Sequence, residues 1–189
     1  MRASLRVLVV LVVLVVLVVA SVAGCGDGRG HGPLDLPAGR ACQAVELDTV
    51  AAVLGVRFAV NAAARVEQTH SCVLTLADSS LPDLTFTMSE TTADEVIFTT
   101  TATPSMATPV TDLGRIAYQL PVPPGVAAEG TPTGPGLEIG WLSAAPRLML
   151  LRYTWPVGAP DADVAALAPR LLDLAKSIEQ AVLTGPTLN

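Results

Sequence analysis

The stretch Leu137-Glu138-Ile139-Gly140-Trp141-Leu142-Ser143-Ala144-Ala145-Pro146-Arg147-Leu148-Met149-Leu150-Leu151-Arg152-Tyr153-Thr154-Trp155 decides the fold. Read as two strands joined across Ala144-Ala145-Pro146, with Ser143 opposite Arg147, it puts Leu137, Ile139 and Trp141 on the same face as Met149, Leu151, Tyr153 and Trp155. Side chains alternate between faces along a strand, so a slip of one residue sets Trp141 beside Leu150 and Arg152 and scatters the set. The hydrophobic pattern therefore favours the first register. The opposite face still carries Leu142, Leu148 and Leu150, more apolar area than a face open to water needs. A hairpin apolar on both sides belongs near the centre of a sheet.

Working outward, Cys72, Leu74 and Leu76 alternate with Val73 and Thr75, and Leu84, Phe86 and Met88 alternate with Thr85, Thr87 and Ser89. Both read as strands, with turn chemistry from Ser79, Ser80 and Pro82 between them. Val56 to Val60 and the set Ile116, Tyr118 and Leu120 predict two further strands. Leu47, Val50, Ala51 and Leu54 follow helical spacing, so a short helix is predicted over about 48–54, with Asp48 as N-cap and Gly55 closing it. Thr92-Ala93-Asp94-Glu95 reads as a capping box opening a helix to about residue 102, stopped by Pro104 and Pro109.

Val164, Leu167, Ala168, Leu171, Ala175, Ile178 and Val182 keep one helical phase over about 161–182, with Asp161 and Asp163 at the positive end of the helix dipole. Pro169 falls inside this run and predicts a kink or a restart. The order of elements implies an α+β domain over residues 41–189: a mainly antiparallel sheet of about six strands, packed by a long C-terminal helix and two shorter ones.

The N-terminus speaks of address. Arg2 and Arg6 precede an unbroken apolar run from Val7 to Ala20, and Val22-Ala23-Gly24-Cys25 closes it. A basic start, an apolar middle and a small-residue exit are the parts of a secretory signal, predicted here over residues 1–24. The last four residues resemble the bacterial lipobox, which implies lipidation of Cys25. Two or three acyl chains hold a protein stably on a bilayer where one does so only marginally. Residues 25–40 read as a tether: Gly26 to Arg40 holds five glycines and two prolines, with too few apolar side chains to pack. Its typical reach is about 20–24 Å. His31 sits within it as a solvated residue. The expected location is the extracytoplasmic face of the cell membrane.

Once Cys25 is acylated, Cys42 and Cys72 form an even pair in an oxidising compartment and are expected to be joined in a disulfide. Zinc held by Cys42, His70 and Cys72 is the competing reading, and the spacing suggests no fourth ligand. Without Arg2 and Arg6 the eleven basic residues fall to nine against seventeen acidic ones, a net charge of −8. Such a body offers no electrostatic footprint for nucleic acid.

Catalytic chemistry finds little support. His70 and Ser71 are neighbours on a strand and point to opposite faces, so they make a poor dyad. Asp78, Asp83, Glu90, Asp94 and Glu95 lie near turns or a helix start, where solvation and capping account for them. Lys176 sits in the last third of a helix, where the dipole favours it. The glycines between 130 and 140 lack the Lys-Ser/Thr of a phosphate loop. No cofactor and no metal are expected.

The lipobox, the Gly/Pro tether and the stretch Cys42…Val50-Ala51-Ala52-Val53-Leu54-Gly55…Cys72 together resemble a group of actinobacterial envelope lipoproteins of unknown function. Val73 stands where that group usually has an aromatic residue. Members of the group are similar to extracytoplasmic sensor and Mog1/PsbP-like domains, which implies an α/β sandwich and a binding role. The expected function is that of a non-catalytic binding or sensor module, its partner an envelope protein or a small apolar ligand. The alternatives are a carrier with a sheet–helix cavity lined by Trp141, Tyr153 and Trp155, and, further off, a hydrolytic envelope enzyme. The contact surface is expected at Pro121 to Gly136, where nine of sixteen residues are Pro or Gly and cannot build core.

Overall fold

The computed structural model describes residues 40–127 and 130–184. The expected signal peptide, Cys25, His31, the expected tether up to residue 39 and the last five residues of the expected domain lie outside them. The described chain is α+β: a seven-stranded antiparallel sheet packed by a long C-terminal helix and shorter ones. In chain order it runs α1 (Arg40–Gln43), α2 (Leu47–Leu54), β1 (Ala59–Val66), β2 (Thr69–Leu76), β3 (Ser79–Glu90) and α3 (Glu95–Ile97), which widens into a π-helical turn over Phe98–Ala102. There follow β4 (Thr108–Val110), β5 (Ile116–Val122), the small ribbon β6 (Gly125–Val126) and β7 (Pro132–Thr133), β8 (Gly136–Leu142), β9 (Arg147–Thr154) and α4 (Asp161–Thr184). The strand order is β1-β2-β3-β9-β8-β5-β4.

The β8–β9 hairpin takes the register its side chains demand, with Trp141 opposite Met149, Ile139 opposite Leu151 and Leu137 opposite Tyr153. Its strands stand fourth and fifth of seven. On one face Trp141, Ile139, Met149 and Leu151 are fully buried, and Phe86 stacks on Trp141 with ring centroids 6.3 Å apart. Helices α1, α2 and α4 supply the rest of that core through Ala41, Val50, Leu54, Leu171, Leu174 and Ile178. The other face is covered too. Phe98, in the π-helical turn, packs on Tyr118 and Leu142, with Ile116, Leu148 and Leu150 around them. Burial on both sides explains why β8 and β9 are apolar on both sides.

Several local expectations are corrected. Val56 to Val60 is not a strand: β1 begins at Ala59, and Phe58 instead turns into the core, edge-on to Tyr153 at 6.2 Å. The helix expected from Asp48 starts at Leu47, with Glu46 in the N-cap position, and Thr49 Oγ1 donates to Glu46 Oε2 at 2.7 Å. Gly55 does close it, at φ +72°, a left-handed conformation that glycine adopts without cost. Residues 79–82 are the start of β3, while the turn before it is Ala77-Asp78. Thr92 does not cap α3. Asp94 does, accepting from Ile97 N–H at 2.8 Å. The widening after Ile97 coincides with Thr99, Thr100 and Thr101 donating back to the carbonyls of Glu95, Val96 and Ile97. Hydroxyls that bond back in this way compete with the regular ladder.

Helix α4 runs through Pro169 as one helix, so the restart, one of the two outcomes expected there, does not occur. Pro169 and Ala165 are both exposed, so the carbonyl that loses its partner faces water. Arg170 ties this helix to α2, its Nε donating to Val53 O at 2.7 Å. The disulfide is present: Cys42 and Cys72 are bonded, with Cα atoms 5.0 Å apart, fastening α1 to β2.

Both tyrosines of the chain are inside this structure. Tyr153 is pushed up to about 12, first by burial and then by Asp83, with Arg170 acting against the shift. Tyr118 is raised further, by burial first and then by Glu138, whose Oε1 accepts from its hydroxyl at 3.0 Å. A phenol that ionises with difficulty when folded but near its ordinary 10.0 when unfolded stabilises the fold fully below about pH 10, and that stability is lost as pH rises further. Absorbance near 295 nm is therefore expected to stay flat through pH 10 and to rise together with unfolding. Half-ionisation at pH 10 in the still-folded protein would contradict this. Gly140 is part of the same arrangement, because a Cβ there collides with the Tyr118 ring.

Candidate functional site

The sheet has two chemically distinct ends. At the end where Glu90 stands opposite Arg147, α1 brings Arg40 beside Gln68, His70 and Met88. The space they enclose is about 10 Å³, barely room for one water. His70 is 4% exposed and belongs to the core face. Ser71 points the other way, its Oγ 3.4 Å from Thr87 Oγ1 across the β2–β3 ladder, so the two are not brought together as a dyad. Beside them lies an open hollow of about 620 Å³ lined by Gln68, Glu90, Thr91, Thr92, Pro146 and Arg147.

The other sequence candidates have mostly structural roles. Asp94 is the α3 cap, and Glu95 forms a 3.4 Å ion pair with Arg115. Asp78 is in the β2–β3 turn, and Asp83 begins the β3–β9 pairing opposite Thr154. Lys176 lies half-buried on α4. The sulfurs of Cys42 and Cys72 are joined to each other, which leaves no thiolate for a metal beside His70. Among the described residues no three His, Cys, Asp or Glu side chains come together as metal ligands, and no described helix is long and apolar enough to cross a membrane. Trp141, Tyr153 and Trp155 belong to the core: Trp141 packs on Phe86, and Tyr153 on Phe58 and Trp155.

At the far end, where Gly136 stands opposite Thr154 and Val122, an open apolar groove of about 710 Å³ crosses the edge of the sheet. It is lined by the end of β5 and the residues after it, Leu120 to Pro124, by Val164, Ala165 and Ala168 of α4, by Pro135, Gly136 and Leu137, and by Pro104 to Met106. Among the described residues its polar side chains are Ser105 and Gln119, and none that lines it is charged. The volume lies in the range of small-molecule sites.

Local chemistry holds this groove in shape. Gly134 N–H donates to Trp155 O and Trp155 N–H to Pro135 O, both at 2.9 Å, which clamps the floor to the end of β9. A side chain at Gly134 would run into the Trp155 and Pro156 carbonyls, so only glycine fits. Short β4 matters as well. It pairs with Ala117 to Gln119 and stops, which leaves the last residues of β5 as open edge.

One residue that sequence reasoning passed over organises the structure behind these surfaces. Glu179 of α4 is 4% exposed and accepts from Trp141 Nε1 at 2.9 Å, Ser143 Oγ at 2.9 Å and Ala144 N–H at 3.0 Å. The signal was available: Glu179 is four residues after Ala175 and eight after Leu171, inside the apolar stripe, and a buried indole N–H needs an acceptor.

Comparison with known proteins finds no match among protein-family models, curated proteins or solved structures.

Proposed function

We propose that this chain is an extracytoplasmic lipoprotein, held to the cell membrane through Cys25, that acts as a non-catalytic binding module of the actinobacterial envelope type its sequence resembles. The apolar groove beside Pro121 to Gly136 is the observation that carries the binding role. Proteins seldom leave contiguous apolar concavities open to water without an occupant. This one is built from four separate segments, 104–106, 119–124, 135–137 and 164–168. The anchor rests on the Val22-Ala23-Gly24-Cys25 motif behind its apolar run. Tethering raises the effective concentration of a membrane-bound partner, so weak contacts are occupied.

Two measurements test the reading separately. Metabolic labelling with a fatty acid is expected to mark the protein in the membrane fraction, and Cys25→Ala to abolish the label. A membrane-bound, processed Cys25→Ala protein would show the anchor to be wrong. For the groove, a neutral solvatochromic dye is expected to bind saturably. Ala165→Glu, at an exposed α4 position, should weaken that binding by about tenfold or more without changing the melting temperature. Equal dye binding by both proteins would remove the groove as the site.

A further inference from the structure

We infer that the groove takes the hydrocarbon chain of a single-chain amphiphile whose head group stays in solvent, an inference that rests on the binding role proposed above. The argument begins with what the walls can offer a ligand. Among the described residues no charged side chain lines the groove, so none of them compensates a buried ionic group there. A peptide is disfavoured for a different reason. Extended peptides add to open sheet edges through backbone hydrogen bonds, and this edge has no donor to give.

Pro109 cannot donate and stands opposite Tyr118, so the β5 residues that bond toward β4 are its neighbours in the ladder, Ala117 and Gln119. Continuing the alternation, the next residue to turn its backbone outward is Pro121, which lacks an N–H. Pro123 and Pro124 follow, with Pro104 and Pro135 on the other sides. Peptide carbonyls laid here would find no backbone donor on this edge and, among the described lining residues, only Ser105 and Gln119 as side-chain partners. A chain of methylenes makes no such demand.

The groove lies far from the start of the described chain. The described chain begins at Arg40, beside Glu90 and Arg147, whereas the groove lies at the Gly136 and Thr154 end. The eight residues of β9 separate the two by about 25 Å. Arg40 thus stands at the end of the sheet away from the groove.

The test uses the full protein in nanodiscs and straight-chain alcohols carrying a diazirine, compared at matched free concentration, with labelled sites read by mass spectrometry. Labelling is expected within 119–124 and 164–168. Unlabelled alcohols should compete with an affinity that rises about fourfold per methylene and then levels off once the chain outruns the groove. Ala165→Glu should lose the groove label, whereas Val66→Glu, at a 70% exposed position of β1, should keep it. Labelling spread evenly over the surface overturns the inference. So does competition by an uncharged aliphatic peptide where the alcohols fail, although that result leaves the binding role standing. If neither alcohol nor peptide competes and the solvatochromic dye does not bind, the binding role falls as well.

Discussion

Glu179→Ala is expected to destabilise the domain by about 3–5 kcal/mol, measured as a shift in the denaturant midpoint at unchanged m-value. The carboxylate is an acceptor-only group surrounded by three donors. Removing it strands Trp141 Nε1 inside the fold and takes the acceptor from the N–H of exposed Ala144, while Ser143 Oγ, which also accepts from Ala145 N–H at 3.2 Å, keeps one contact. The three bonds join the last turns of α4 to β8 and the turn after it, so the loss also unfastens the helix from the centre of the sheet. Glu179→Gln separates the contributions. An amide presents one oxygen and one NH₂, so it can serve Ser143 and Ala144 but sets a donor against the indole N–H. A smaller loss with an altered tryptophan emission spectrum is expected for Gln. Identical stability of the Ala variant and the unmodified protein would mean that the three bonds contribute nothing net.

Opening the Cys42–Cys72 bond is expected to cost about 3.6 kcal/mol, the loop-closure value for the 30 residues it spans. Cys72 is fully buried beneath the helices, and Ala41 beside Cys42 is buried as well, so the bond secures α1 to the strand it covers. The double substitution Cys42→Ser with Cys72→Ala tests this without leaving a free thiol. Its melting temperature should fall clearly below that of the oxidised protein and match that of the reduced protein. A double variant as stable as the oxidised form would show that the sheet and α4 hold α1 in place unaided.

How much of this could be read from the sequence depended on whether a residue's neighbours in the chain were also its neighbours in space. The β8–β9 register was legible because seven apolar side chains agree on a single pairing, and β2, β3 and α4 were legible because their apolar periods are long. β1 was not. It is an edge strand rich in alanine with mostly exposed side chains, so no alternation marks it, while Phe58 just before it supplied a false one. β4 was hidden by Pro109, which argues against a strand in the middle of a sheet and is tolerated here because β4 is the edge.

The candidate site lay further out of reach. Pro121 to Gly136 was picked out by composition, yet the groove needs Pro104 to Met106 and the Ala165 region as well, and those meet it only after the sheet has formed. Glu179 was missed because an acidic residue in an amphipathic helix is by default assigned to water.

The bond between Cys42 and Cys72 also fixes how the domain bears load. A pull on the chain ahead of Cys42 passes from sulfur to sulfur into the middle of β2, which is held by β1 on one side and β3 on the other. Everything between the two cysteines, α2 and β1 included, lies off the line of force. Once the bond is reduced, the same pull runs through that stretch in series, and α2 and β1 peel away before β2 feels tension. The chain would lengthen by roughly 100 Å for the 30 residues released.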